Sequence, residues 1–115
     1  PCIVESEELV MEVADKVSTI CKNLGIPYIF KASYRKANRT SSSSFTGLGD
    51  ETGMSLIKKV GETYQLPTTS DIHAHDEAAE AAKYIDVLQI PAFLCRQTDL
   101  LVAAAQTGKI VNVKK

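Results

Sequence analysis

Lys36, Asn38, Arg39 and Thr40 lie in the run FKASYRKANRTSSSSF, directly after the strand-like segment IPYIF. The run gathers Lys31, Arg35, Lys36 and Arg39, with Lys58 further on, beside a string of hydroxyl side chains. Arginine and lysine neutralise phosphate, and serine and threonine donate to its oxygens, so this composition suits a small phosphorylated ligand. A solvated serine-rich loop has the same composition. The elements that carry these residues decide between the two.

Those elements alternate. Residues 6–24 have helical periodicity, with Val13, Val17, Ile20, Cys21 and Leu24 on one face, so Cys21 reads as core. Ser6 suits the N-cap, Glu7 and Glu8 the first turn, and Gly25 the C-terminal stop. Residues 26–34 read as a buried strand that turns polar, and 35–49 as a loop. Asp50 is placed to cap a helix over 51–65, with Met54, Ile57, Val60 and Tyr64 inward. LPTTSDI (66–72) reads as a strand, 76–84 as a short helix with a Glu80–Lys83 pair, and DVLQIPA (86–92) as another strand. Thr98 is placed to cap a helix ending at Gly108, and KIVNVK (109–114) forms the last strand.

Strict alternation of helix and strand predicts an α/β fold with a parallel sheet and crossover helices. In such folds chemistry collects at the C-terminal strand ends. Polar residues recur there: Lys31 and Ser33, then Asp71 and His73, then Gln89, then Asn112 and Lys114. Lys31, Lys36, Arg39, Arg96 and Lys114 are expected to converge on one rim, with enough charge for two phosphates or a phosphate and a carboxylate. Asp71 is the one acid among the strand ends. It could orient a lysine, move a proton, or form an ion pair with Lys31.

The totals narrow the partners. A chain of 115 residues is one domain at most, and 44% hydrophobic with 23% charged residues is an ordinary globular composition. A net charge of −1 argues against nucleic acid as a partner, and no apolar run approaches the ~20 residues of a membrane span. Cys2, Cys21 and Cys95 are odd in number and form no C-x-x-C, and no export signal opens the chain. Both features fit a reducing cytoplasm. Cys95 reads as packing and His73 as a structurally satisfied polar contact. No P-loop, G-x-G-x-x-G or G-x-S-x-G is present; GLGDETG lacks the lysine of a P-loop.

The segments PCIVES, FKASYRKANRTS, TSDIH, LQIPAFLCRQTDLL and VNVKK span the chain nearly end to end. In this order they resemble the 3-deoxy-D-manno-octulosonate 8-phosphate synthase family. KANRT points to that branch, since the related heptulosonate synthases of the aromatic pathway carry a proline-containing loop. The resemblance implies a (β/α)8 TIM barrel that condenses phosphoenolpyruvate with D-arabinose 5-phosphate in lipopolysaccharide sugar biosynthesis. It implies a phosphoenolpyruvate site at Lys31, Ser33, Gln89, Ala92 (through its backbone) and Lys114. It implies an arabinose-phosphate site at Lys36, Asn38, Arg39 and Thr40. Phe93 and Arg96 become site or interface residues, and the assembly a homotetramer. Of these, Lys36, Asn38 and Asp71 are the candidate catalytic residues.

Cys2 stands where metal-dependent members of the family carry cysteine. The resemblance therefore implies a divalent ion (zinc, iron or manganese) with its other ligands outside this chain; taken alone, Cys2 has no ligand cluster around it. Thr40 stands where serine is usual and keeps the hydroxyl. Ser42, Ser43 and Thr46 stand where isoleucine, histidine and arginine are usual, so no sugar-phosphate contact beyond Arg39 carries over. A whole barrel takes about 250 residues. These 115 correspond to a partial barrel, roughly strands 2–4 with flanking helices and the strand after the fourth helix. Open strand edges make the isolated segment an expected inactive and poorly stable piece. A non-catalytic phosphosugar-binding module, or a half-barrel pairing with another chain, remains a separate reading.

Overall fold

The structure is a computed structural model and describes residues 1–37, 41–43 and 45–115. Four helices alternate with four strands: α1 Glu7–Leu24, β1 Phe30–Lys31, α2 Asp50–Tyr64, β2 Thr68–Asp71, α3 Ala78–Ala81, β3 Val87–Ile90, α4 Thr98–Gln106 and β4 Ile110–Val113. Short 3₁₀ turns, His75–Glu77 and Ala92–Leu94, follow β2 and β3. All neighbouring strands pair in parallel, in the order β1-β2-β3-β4. Each strand lies beside the next in sequence, and right-handed crossovers then put every helix on one face. This is the arrangement of a (β/α)8 barrel, here a part of one.

The two faces of the sheet differ in chemistry. Phe30, Ala32, Ser70, Ile72, Leu88 and Ile90 are wholly buried and alternate onto the helix-covered face. They pack with Val10, Ala14, Met54, Ile57, Val60, Ala78, Ala81, Leu100 and Ala104 from the helices. The opposite face carries Lys31, Thr69 and Val87 in one row and Asp71, Gln89 and Asn112 in the next. Face and register thus deliver three polar side chains side by side.

α1 begins and ends as its sequence predicts. Ser6 Oγ accepts from the Leu9 amide at 3.1 Å, and Gly25 takes the left-handed conformation at φ 65°. Its buried face is not the expected one. Val10 and Ala14 are buried and Val17 and Cys21 half-buried, while Ile20 and Leu24 are exposed. α1 packs against α2, and Val10 and Ala14 are the α1 residues that join the buried core. Cys21 is accordingly not a core residue.

Other boundaries shift for local reasons. β1 is ladder-paired only at Phe30–Lys31, with β2 as its one partner among the described elements. Asp50 is the first residue of α2 and not its cap; Gly49 precedes the helix, and the Asp50 carboxylate lies 3.4 Å from the Arg35 guanidinium. Thr98 likewise opens α4 inside the helix, after Gln97. The 76–84 segment divides into the His75–Glu77 turn and the one-turn α3, with Glu80 and Lys83 paired as expected.

α2 approaches the chain after β1 at Gly53. A Cβ there would lie 2.8 Å from Tyr34 Cβ and 3.0 Å from its Cα. Backbone must move to admit it, so Gly53→Ala is expected to destabilise the full-length protein by about 1–3 kcal/mol, read by thermal or urea unfolding.

Candidate active site

The polar face ends in a hydrogen-bonded row that crosses four strands. Lys31 Nζ donates to Ser33 Oγ at 2.9 Å, and Ser33 Oγ donates to Asp71 Oδ2 at 3.0 Å. Gln89 Nε2 donates to Asp71 Oδ1 at 2.6 Å, and Asn112 Nδ2 donates to Gln89 Oε1 at 2.9 Å. Lys31 also lies 3.5 Å from Asp71 Oδ2, so the lysine–aspartate pair weighed from the sequence is present, within a larger network. Alternation aims these side chains to one face, and parallel register lines up Asp71, Gln89 and Asn112.

Asp71 is the acceptor at the centre. Burial pushes its carboxyl up, but the Gln89 hydrogen bond, the Lys31 charge and the Ser33 hydroxyl together hold it below its ordinary value. It is therefore ionised at neutral pH, with both oxygens engaged. Such a group orients donors and does not supply a proton.

The row borders a cavity of about 190 Å³ whose lining includes Cys2, Lys31, Ser33, Lys36, Asp71 and Phe93. Cys2 reaches it because the segment before α1 runs beside the end of β1, where the Val4 amide donates to the Ser33 carbonyl at 3.0 Å. Lys36 also lines an adjoining cleft of about 440 Å³ with Ile3, Glu5 and Phe45. The two spaces therefore share one cation.

Not every expected residue joins them. Asn38, Arg39 and Thr40 lie outside the described residues. Ala92 opens the turn after β3, next to Phe93. Arg96 is exposed beyond that turn, and Lys114 is exposed after β4, its amide donating to the Ile90 carbonyl at 3.0 Å; neither lines the cavity. Lys58 sits at the opposite, N-terminal end of the strands, 5.9 Å from the Tyr84 ring centre. Of the cations expected to converge, Lys31 and Lys36 line the cavity among the described residues, and Arg35, not among those expected, joins them.

Arg35 lines the cavity but spends its charge elsewhere. Its guanidinium pairs with Glu77 and Asp50. Glu77 Oε2 also accepts from the Tyr34 hydroxyl and from the His73 amide, each at 2.8 Å. His73 packs edge-on against Tyr34 and lines the same cavity. Burial and then the Arg35 charge lower its pKa, which keeps the imidazole neutral at pH 7. Its Nδ1 is buried without a hydrogen-bond partner among the described residues. Sequence reading missed Glu77, which looks like one more solvated acid in EAAEAA. It also left Asn112 out of the site, though its place two residues before Lys114 gave a signal.

The thiol of Cys2 is free and exposed. No three His, Cys, Asp or Glu side chains gather closely enough among the described residues to hold a metal ion. Cys2 by itself is an incomplete donor set.

A parallel sheet with a polar row at its C-terminal strand ends, beside two clefts sharing a lysine, has the layout of a barrel-type α/β fold. The chain belongs to the DAHP synthetase I family, which it matches over residues 1–115. It is 57% identical over all 115 residues to a 2-dehydro-3-deoxyphosphooctonate aldolase of Trichlorobacter lovleyi, covering 42% of that protein. It is 57% identical to the protein of that name from Koribacter versatilis and covers 41% of it. It is 56% identical to that of Fusobacterium nucleatum subsp. nucleatum, again covering 41%. The chain thus spans about two-fifths of the length of the curated relatives it matches. No helix among the described residues is long and apolar enough to cross a membrane.

Proposed function

We propose that the full-length protein condenses phosphoenolpyruvate with D-arabinose 5-phosphate and water. The products are 3-deoxy-D-manno-octulosonate 8-phosphate and inorganic phosphate. The observation that carries this is the Lys31–Ser33–Asp71–Gln89–Asn112 row, ending on a cavity that shares Lys36 with a second cleft. The name carried by the relatives supports it.

In this reaction C3 of the enol attacks the aldehyde carbon, whose oxygen takes up a proton. Water adds at C2, and phosphate leaves as its bond to C2 breaks. Both substrates are anions that repel each other. Fixed cations offset that repulsion and hold the reacting carbons in register. Lys31, Ser33, Gln89, the Ala92 backbone and Lys114 bind phosphoenolpyruvate; Lys36, Asn38, Arg39 and Thr40 bind the sugar phosphate. Asp71 orients Lys31. Phe93 and Arg96 belong to the rim or to a subunit interface of a homotetramer. Cys2 contributes one thiolate to a divalent ion (zinc, iron or manganese) whose remaining ligands lie outside this chain.

The test is phosphate release by the full-length protein from phosphoenolpyruvate, with each aldose phosphate in turn. Turnover with arabinose 5-phosphate and not with erythrose 4-phosphate is expected. The reverse preference assigns the protein to heptulosonate synthesis. Saturable phosphoenolpyruvate binding without turnover of either sugar would leave a non-catalytic binding module.

A further inference from the structure

Arg35 is the cation that the sequence places beside Lys36 and the structure turns away from it. Its two guanidinium arms reach two different elements: Nη1 lies 3.4 Å from Asp50 at the start of α2, and Nη2 pairs with Glu77 Oε1 in the turn after β2. Glu77 is little exposed, at 12% of its side chain, and its second oxygen is held by Tyr34 and by the His73 amide. One planar fork therefore ties three segments together immediately beside Lys36. The next residue along is tied through its amide, Lys36 N–H donating to the Thr46 carbonyl at 2.9 Å. Lys36 itself is exposed. It follows Arg35 directly in the chain and lines both clefts.

We propose that Arg35 and Glu77 form a clamp that positions Lys36, and that the clamp sets affinity on the sugar-phosphate side of the site. Arg35 lines the same cavity as Lys36, but its guanidinium is taken up by Glu77 and Asp50, so Arg35 and Glu77 act as positioning residues. The functional half of this proposal rests on the reaction proposed above.

Glu77→Gln is the discriminating variant. Its amide oxygen can take the Oε2 position, keeping the bonds from Tyr34 and His73, while its NH2 turns toward Arg35 and cuts that arm alone. In the full-length protein, Glu77→Gln and Arg35→Ala are each expected to raise KM for arabinose 5-phosphate about tenfold to a hundredfold. KM for phosphoenolpyruvate stays within about twofold, since the Lys31–Asp71 row is untouched. The double variant is no worse than either single one, and Arg35→Lys, which keeps charge but not the fork, falls between.

Hydrogen exchange on peptides containing Lys36 gives a readout that needs no substrate: exchange quickens in both single variants while α1 and β3 stay protected. Unchanged exchange overturns the clamp. Faster exchange with an unmoved or uniformly raised pair of KM values overturns its link to the sugar-phosphate side. A wild type inert toward arabinose 5-phosphate refutes the proposed reaction instead, and exchange then decides the clamp by itself.

Discussion

Asp71→Asn is expected to lower kcat for phosphate release by about a hundredfold in the full-length protein. The carboxylate accepts from Ser33 and Gln89 and faces Lys31 at 3.5 Å. An amide has one acceptor oxygen. If it serves Gln89, the NH2 is turned on Ser33 and the Lys31 ammonium, a donor against two donors. Lys31 then loses its orientation, and misplacing a substrate-holding group by about 1 Å is worth roughly this factor. KM for phosphoenolpyruvate rises less than kcat falls, because the positive charge of Lys31 remains. The unmet hydrogen bonds also cost about 1–3 kcal/mol of stability, visible in thermal unfolding.

The pH dependence of stability follows in sign from the lowered carboxyl pKa. The unfolded chain carries Asp71 at its ordinary value of about 4. Gln89, Lys31 and Ser33 stabilise the charged form in the native protein, against burial. Asp71 therefore contributes stability that is complete above pH of about 4 and is lost as pH falls through its lower native value. Asp71→Asn should flatten that acid limb of the stability–pH curve. A wild-type curve already flat there contradicts the assignment.

Lys31→Ala is expected to cost more, about 10²–10³-fold in kcat/KM for phosphoenolpyruvate, because it removes a partly desolvated charge that faces both substrate and Asp71. The ammonium is half-buried, reaches Ser33 at 2.9 Å and lines the cavity. Lys31→Arg should restore little. A planar fork has neither the point charge nor the length that fits between Ser33 and Asp71. The variant carries its own control: without Lys31 the Asp71 pKa rises toward its ordinary value, so the acid limb of stability still begins near pH of about 4 but ends at higher pH and spans a smaller loss. Steady-state kinetics together with unfolding at several pH values read both effects on one sample. A loss in kcat/KM under about fivefold would remove Lys31 from the binding site.

How far these residues could be found without a structure differs from one to the next. Ser6 and Gly25 bound α1 through contacts with residues a few positions away, so their side-chain and backbone chemistry predicts them. Polar residues at successive strand ends were legible for a similar reason, since alternation along a strand is local. The face of α1 was not: Ile20 and Leu24 carry the right period but are exposed, because tertiary packing and not periodicity decides which apolar flank is covered. Arg35 shows the limit most clearly. In the chain it belongs to a run of cations; in the fold it answers to Asp50 and Glu77.

The sequence by itself determined the helix–strand alternation, the two caps of α1 and the polar residues that end each strand, because these follow from short-range sterics and hydrogen bonding. Only the tertiary structure decided that Lys31, Ser33, Asp71, Gln89 and Asn112 form one hydrogen-bonded row. It alone separated Lys36, left at the cavity, from Arg35, taken into a clamp. Parallel register and the pairing of Tyr34 and Arg35 with Glu77 are set by how elements pack, and nothing local in the chain marks Glu77 as their partner.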